Sequence, residues 1–335
     1  MSRIAVMGSG AWGTAIALSL ANCGEHEITL WSHAPEVSAA IRERCGNTIF
    51  LPGFPIPKTI RATSSIQEAL RDAEIVVSVM PSHHVRASYE QFVAYLKPDQ
   101  VLVSATKGIE DGTMLRMSEV IADVLDSFHL QLPLGILSGP SFAQEVAAGF
   151  PTAITIASQD ADLAARIQHE FGSKSLRLYT NEDVVGVELG GALKNVIAIA
   201  AGIVSGLGLG HNSAAALITR GIVETTRLAV ACGGRRETLA GLSGIGDLIL
   251  TCTGSLSRNR TVGIELGKGR RLPEILAGLH GKVAEGVRTA SAALGLAKRY
   301  GVEMPITQQV AAILSEETSP LEAMRDLMSR PGRDE

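Results

Sequence analysis

Cysteine is scarce in this chain: four residues in 335, at positions 23, 45, 232 and 252, with no C-x-x-C spacing. That excludes a disulfide framework and points to a reducing compartment, the cytoplasm. Aromatic residues are only 4% of the chain, so platforms for stacking bases are few. Positive charge is not in excess either. The 30 Lys and Arg against 34 Asp and Glu leave −4 at pH 7, without the broad positive field of a non-specific nucleic-acid binder. No apolar run reaches the roughly 20 residues of a membrane span. The longest weakly polar stretch, Val196–Gly210, contains Ser205 and several glycines. It reads as a core helix followed by a glycine-rich loop. The N-terminus passes straight into Arg3-Ile4-Ala5-Val6, which lacks the plan of a signal peptide. Internal repeats and low-complexity tracts are missing as well.

What is present is apolar material, 46% of the chain, and 35 glycines, above the average of roughly 7%. The length corresponds to about two domains. In the first half, short β-branched runs alternate with stretches of helical spacing. The candidate strands are Ile4–Met7, Ile28–Trp31, Ile75–Val79, Val101–Ser104, Leu134–Leu137 and Ala153–Ala157. Fully apolar strands separated by helices predict a mostly parallel sheet covered on both faces. Leu51–Pro57 interrupts the rhythm with three prolines and is expected to be an ordered loop. After about Tyr179 the strand signals stop. From Val184 the chain reads as helices joined by glycine-rich turns, ending in a polar, frayed tail at Ser329–Glu335. The fold class is therefore α/β: a Rossmann-like domain over residues 1–182, then an all-helical domain over 183–335.

The strongest local signal is Gly8-Ser9-Gly10-Ala11-Trp12-Gly13, because it follows the strand Ile4–Met7 and opens the helix through Ala15–Ala21. In that context Gly8 permits the tight turn and Gly10 admits a pyrophosphate. Gly13 lets helix and strand pack, and the helix N-terminus holds the anion. The second strand ends Trp31-Ser32-His33, without the acid that usually grips a ribose 2′-hydroxyl; the first acid is Glu36. A 2′-phosphate is thus not repelled, which allows NADP as well as NAD. His33 is either a contact to that phosphate or a solvent-facing loop residue.

Other candidates lie where open α/β sheets place ligands, at the carboxyl ends of later strands. His83 and His84 are adjacent but have no third ligand at a metal-binding spacing, so no metal site is expected. Lys107, followed by Gly108, reads as a cation for a bound anion or carbonyl, or as a surface lysine. In the helical half, Lys194-Asn195 lies within a long apolar stretch. A buried lysine is costly unless paired or functional, and one with a lowered pKa serves as acid or base. Asp247, in Gly244-Ile245-Gly246-Asp247, is a helix cap or a partner for chemistry. Ser257-Arg258-Asn259-Arg260 is a phosphate grip or a solvated basic loop. Val283-Ala284-Glu285-Gly286 is readable simply as a turn.

Together these residues resemble the bacterial-type NAD(P)-dependent glycerol-3-phosphate dehydrogenases. The resemblance runs from the first strand to about residue 310. Besides the glycine turn it rests on Phe50-Leu51-Pro52, Pro81-Ser82-His83, Ala105–Gly108, Ser138–Ala143, Leu189–Asn195, Gly246–Leu248, Leu250–Thr253, Ser257–Arg260 and Glu303–Thr307. It implies reversible reduction of dihydroxyacetone phosphate to sn-glycerol 3-phosphate, for phospholipid synthesis, by a cytoplasmic homodimer using NADP or NAD. It implies Lys194 as proton acceptor, with Lys107 and Asp247 also catalytic. Lys107, Gly139, Ser141, Lys194, Asp247, Ser257, Arg258 and Asn259 match substrate positions. Gly8, Gly10, Ala11, Trp12, Gly13, His33, Lys107, Ala143, Arg258, Val283 and Glu285 match cofactor positions. Two rivals stand beside it. One is a related dehydrogenase of β-hydroxyacids or nucleotide sugars, with Cys252 as an imagined nucleophile. The other is a silent NAD(P)H-sensing module, which has no need to keep Lys107, Lys194, Asp247 and Ser257–Asn259 together.

Overall fold

A computed structural model describes residues 1–24, 26–279 and 283–332; residues 333–335 of the expected frayed tail lie outside the described residues. The chain forms two compact units, residues 1–107 with 115–188, and residues 108–114 with 189–335.

The first unit is built on an eight-stranded sheet. Its strands are β1 (Arg3–Met7), β2 (Glu27–Trp31), β5 (Ile60–Thr63), β6 (Ile75–Ser78), β7 (Val101–Ser104), β8 (Leu134–Ser138), β9 (Thr152–Ala157) and β10 (Leu176–Asn181). Two short strands, β3 (Gly46–Asn47) and β4 (Leu51–Pro55), pair separately. The main order is β10-β9-β8-β7-β6-β1-β2-β5, parallel throughout except for the antiparallel β8–β9 pair. The chain reverses its direction of travel across the sheet at β1, where the order places a ligand crevice at the carboxyl ends.

Alternation along the central strands divides the core in two. Ile4, Val6, Ile75, Val77, Val101 and Val103 face one cluster, filled by Ala15, Ile16 and Leu20 of the helix Ala11–Asn22 and by Leu163, Ile167 and Phe171 of Ala161–Phe171. Ala5, Met7, Val76 and Leu102 face the other, filled by Tyr89 and Phe92 of the helix Val85–Phe92 and by Val120, Ile121 and Val124 of Met117–Ser127. A sheet buried on both faces needs apolar residues at every position, which is why these strands read as unbroken apolar runs.

Three elements depart from expectation. Leu51–Pro55 is no loop: it pairs antiparallel with Gly46–Asn47, and its prolines are tolerated because a two-stranded edge leaves ladder positions unpaired. Strands β5 and β10 are additional. Both lie at the sheet's margins, where exposed residues such as Arg61, Arg177 and Tyr179 break the apolar run.

The second unit is helical. Its core surrounds the helix Val184–Gly206, from which Val196–Ala201 and Ile203 meet Leu248, Cys252, Val262, Leu266, Val310 and Ile313. By length and composition this is the one helix among the described residues able to cross a membrane, but 89% of its most apolar stretch is buried inside the protein. It is a core helix, followed by a short turn with Gly208 in the left-handed region before Gly210 opens the helix Gly210–Ala231.

Candidate active site

The glycine turn separates the needs of the protein from those of a ligand. Gly8 has φ +137°, and a Cβ there would lie 2.0 Å from the Val79 carbonyl oxygen. A Cβ on Gly13 would lie 1.8 Å from the Gly8 carbonyl oxygen. Those two glycines are required by packing alone. A Cβ on Gly10 would meet no protein atom within 4 Å, and its φ of −63° suits any residue. Glycine at position 10 therefore answers to something that approaches from outside. Gly10 also caps the helix Ala11–Asn22 without a side-chain bond, and the first turn carries no acid. Unspent amides and the positive end of the helix dipole then face the same space. The turn fits a dinucleotide pyrophosphate.

Asn47, only 2% exposed, braces this turn from below. Its Nδ2 donates to the Ser9 carbonyl at 2.7 Å and to Thr14 Oγ1 at 2.9 Å, while Ser9 Oγ bonds Ser32 Oγ at 2.7 Å. Sequence reasoning missed Asn47, since its strand is two residues long and leads into the proline segment. Ala11 and Trp12 are half-buried in the first turn. His33 is exposed just after β2, with its ring 6.1 Å from that of Trp31.

Adjacent parallel strands bring a second group together. Lys107, after β7, donates from Nζ to the Gly139 carbonyl at 3.2 Å, and Ser141 Oγ donates to the same oxygen at 3.0 Å. Gly139 has φ +130°, and a Cβ there would lie 3.0 Å from Ile154 Cα. Glycine thus holds the turn after β8 close to β9. Ala143 opens the short helix Ala143–Ala147 directly beyond. His83 and His84 sit in one turn with rings 4.0 Å apart. Among the described residues no group of three or more His, Cys, Asp or Glu is placed to hold a metal.

In the helical unit, Lys194 and Asp247 form an ion pair between Nζ and Oδ1, with side-chain exposures of 11% and 0%. Asp247 is not the helix cap that its glycine setting suggests. It is the first residue of the helix Asp247–Thr253, whose cap is Gly246. A wide turn at Leu242–Gly246 delivers it: glycine is needed at 244, where a Cβ would lie 2.0 Å from the Leu239 carbonyl oxygen. A Cβ on Gly190, one turn before Lys194, would lie 2.5 Å from the Ser243 carbonyl oxygen, so the wide turn rests directly on the lysine's helix. Thr251 Oγ1 donates to the Asp247 carbonyl at 2.6 Å.

Ser257 caps the helix Arg258–Gly267, accepting from the Arg260 amide at 3.2 Å. Arg258 stands at its start; desolvation of the guanidinium against the protein holds it below its ordinary value, and the Glu285 carboxylate only partly offsets this. Asn259 is buried, donating to Asn195 Oδ1 at 2.9 Å and accepting from the Gly286 amide at 3.0 Å. This helix lies against Val184–Gly206 at backbone distance. A Cβ on Gly202 would be 2.1 Å from the Arg260 carbonyl oxygen, and one on Gly263 would be 2.0 Å from that of Ile199. Val283 and Glu285 are half-buried at the start of the helix Glu285–Tyr300. Cys252 is 3% exposed, and burial pushes its thiol up to about 12. That removes it as a nucleophile at neutral pH.

Residues 3–164 match the family model of the NAD-dependent glycerol-3-phosphate dehydrogenase N-terminus, and residues 183–325 match that of the C-terminus. The glycerol-3-phosphate dehydrogenase [NAD(P)+] of Acidobacterium capsulatum is 68% identical over 338 residues, covering 100% of both chains. That of Koribacter versatilis is 61% identical, covering 100% of this chain and 99% of the relative. The crystal structure of glycerol-3-phosphate dehydrogenase from Coxiella burnetii superposes with a TM-score of 0.93 at 38% identity, covering 98% of this chain and 99% of that one.

Proposed function

Because the chain belongs to the NAD-dependent glycerol-3-phosphate dehydrogenase family, we propose that it reduces dihydroxyacetone phosphate reversibly to sn-glycerol 3-phosphate, with Lys194 as the group that gives and takes the proton. The observation that carries this is the ion pair of Lys194 with a fully buried Asp247. A lysine inside an apolar core needs a reason to be there, and proton transfer supplies one.

The Gly8–Gly13 turn, with Ala11, Trp12, His33, Ala143, Val283 and Glu285, would hold NADPH or NADH, which when bound would supply the hydride for the carbonyl carbon. The remaining work falls to the chain. As the carbonyl becomes an alkoxide, Lys194 Nζ gives it a proton; in the reverse direction the neutral amine takes the proton back. Asp247 orients the ammonium and stabilises its charge, so the donor is loaded before reduction begins. Lys107, with Gly139 and Ser141, contributes a further cation and hydroxyl to the substrate. Ser257, Arg258 and Asn259 receive the phosphate, with the guanidinium as the main anchor. Residues 1–182 then supply most of the cofactor contacts and 183–335 the proton donor and the phosphate grip, in a cytoplasmic homodimer that feeds phospholipid synthesis.

The test is loss of nicotinamide absorbance when purified protein meets dihydroxyacetone phosphate, with phosphate-free dihydroxyacetone as control and each cofactor in turn. Turnover of the phosphorylated ketone alone is expected, with both cofactors accepted since no acid closes β2. Equal turnover of the two ketones, or of neither, contradicts the reading.

A further inference from the structure

Asn195 has no task in the scheme above, although it sits beside the lysine. It is 6% exposed on the helix Val184–Gly206. Its Oδ1 receives the Asn259 amide at 2.9 Å, and Asn259 passes the connection on by accepting from the Gly286 amide at 3.0 Å. The two bonds also fix which way the Asn259 amide points, because a flip would set donor against donor and acceptor against acceptor. The backbone closes along the same line: a Cβ on Gly286 would lie 2.5 Å from the Asn195 carbonyl oxygen. The residue next to Lys194 is thus joined to the turn bearing Arg258 and to the turn bearing Glu285.

We propose that Asn195 is a positioning residue: by holding the Asn259 amide it sets Arg258 and Glu285 in place relative to Lys194. The inference deepens the dehydrogenase reading and rests on it. Asn195 acts through Asn259, so removing either residue breaks one and the same linkage. The Lys194–Asp247 pair shares the helix Val184–Gly206 with this linkage but none of its hydrogen bonds, and is left standing.

The experiment measures NADPH affinity by fluorescence titration, and kcat and KM for dihydroxyacetone phosphate, in wild type, Asn195→Ala, Asn259→Ala and the double variant. Asn195→Ala is expected to weaken NADPH binding and raise KM, each by about fivefold to tenfold, the scale of one lost buried hydrogen bond. The pH profile of kcat should not move. The double variant should bind NADPH no worse than the weaker single one. Multiplying losses, or NADPH affinity in Asn195→Ala equal to wild type, would overturn the proposal. Asn195→Asp preserves size and acceptor and should retain NADPH affinity; with Asn259→Ala it carries the test if the alanine variant at 195 fails to fold. Its losing NADPH affinity while folded would also overturn the proposal. Absence of turnover in the wild type would instead overturn the dehydrogenase reading, leaving the NADPH arm readable.

Discussion

Gly10 and Gly13 are two residues of one motif that answer to different constraints. A methyl group at 10 meets nothing in the protein, whereas one at 13 collides with the Gly8 carbonyl. Gly10→Ala should therefore leave urea stability within about 0.5 kcal/mol of wild type, as for a substitution whose backbone angles suit alanine, yet weaken NADPH binding. Gly13→Ala should lower stability by about 1–3 kcal/mol through overpacking. A loss of stability at Gly10 equal to that at Gly13 would break the distinction. Cys252 makes the opposite point, a residue near the lysine with no chemistry. Burial keeps its thiol protonated, so a thiol reagent at neutral pH should leave it unmodified in the folded protein, and Cys252→Ala should retain turnover. Rapid labelling of Cys252 would contradict its placement.

Helix ends and helix contacts decide what is held where. Glu224 is 2% exposed and accepts three bonds at the start of the helix Pro305–Leu314: from the Ile306 amide at 2.8 Å, the Thr307 amide at 2.9 Å and Thr307 Oγ1 at 2.6 Å. Burial, the largest influence, outweighs these donors and holds its carboxyl above the usual range. The folded state therefore keeps a proton that the unfolded chain has released. Glu224's contribution to stability is full below the ordinary carboxylate range and is lost as pH rises through the folded value. Compared with Glu224→Gln, which does not titrate, wild type should gain stability between about pH 7 and about pH 5. Urea unfolding at the two values reads it, and a wild-type loss relative to the variant on acidification would contradict the assignment.

Legibility follows the same division by element. The central strands were readable because burial on both faces demands apolar residues at every position. Strands β5 and β10 were hidden because a marginal strand carries Arg61, Arg177 or Tyr179 without penalty. The glycine turn was readable because its requirements are local. Asn47 and the pairing of Lys194 with Asp247 join residues 38 and 53 positions apart from their partners, and no local pattern encodes such a distance. Lys194 was conspicuous only as a charge in an apolar run. Asp247 looked like a cap because its neighbours are glycines, and those glycines turned out to shape the approach to the lysine's helix.

The molecule divides its work between two units built on different rules. The sheet unit offers backbone suited to a dinucleotide, through glycines and a helix end that lacks a side-chain cap. The helical unit buries the Lys194–Asp247 pair, around a core helix whose glycines let the helix Arg258–Gly267, the proposed phosphate grip, approach to backbone distance. Net charge is small, so the proposed recognition of an anionic substrate relies on a few placed cations, Lys107, Lys194 and Arg258, rather than on a general field. Lys194 is the residue on which the proposed reaction depends. The decisive measurement is turnover of Lys194→Ala alongside its NADPH affinity and its unfolding curve. A folded protein with wild-type NADPH affinity and turnover reduced by about 10²–10⁴, the usual worth of a positioned proton donor, is the expected result. Turnover close to wild type in that folded, NADPH-binding variant would contradict the account.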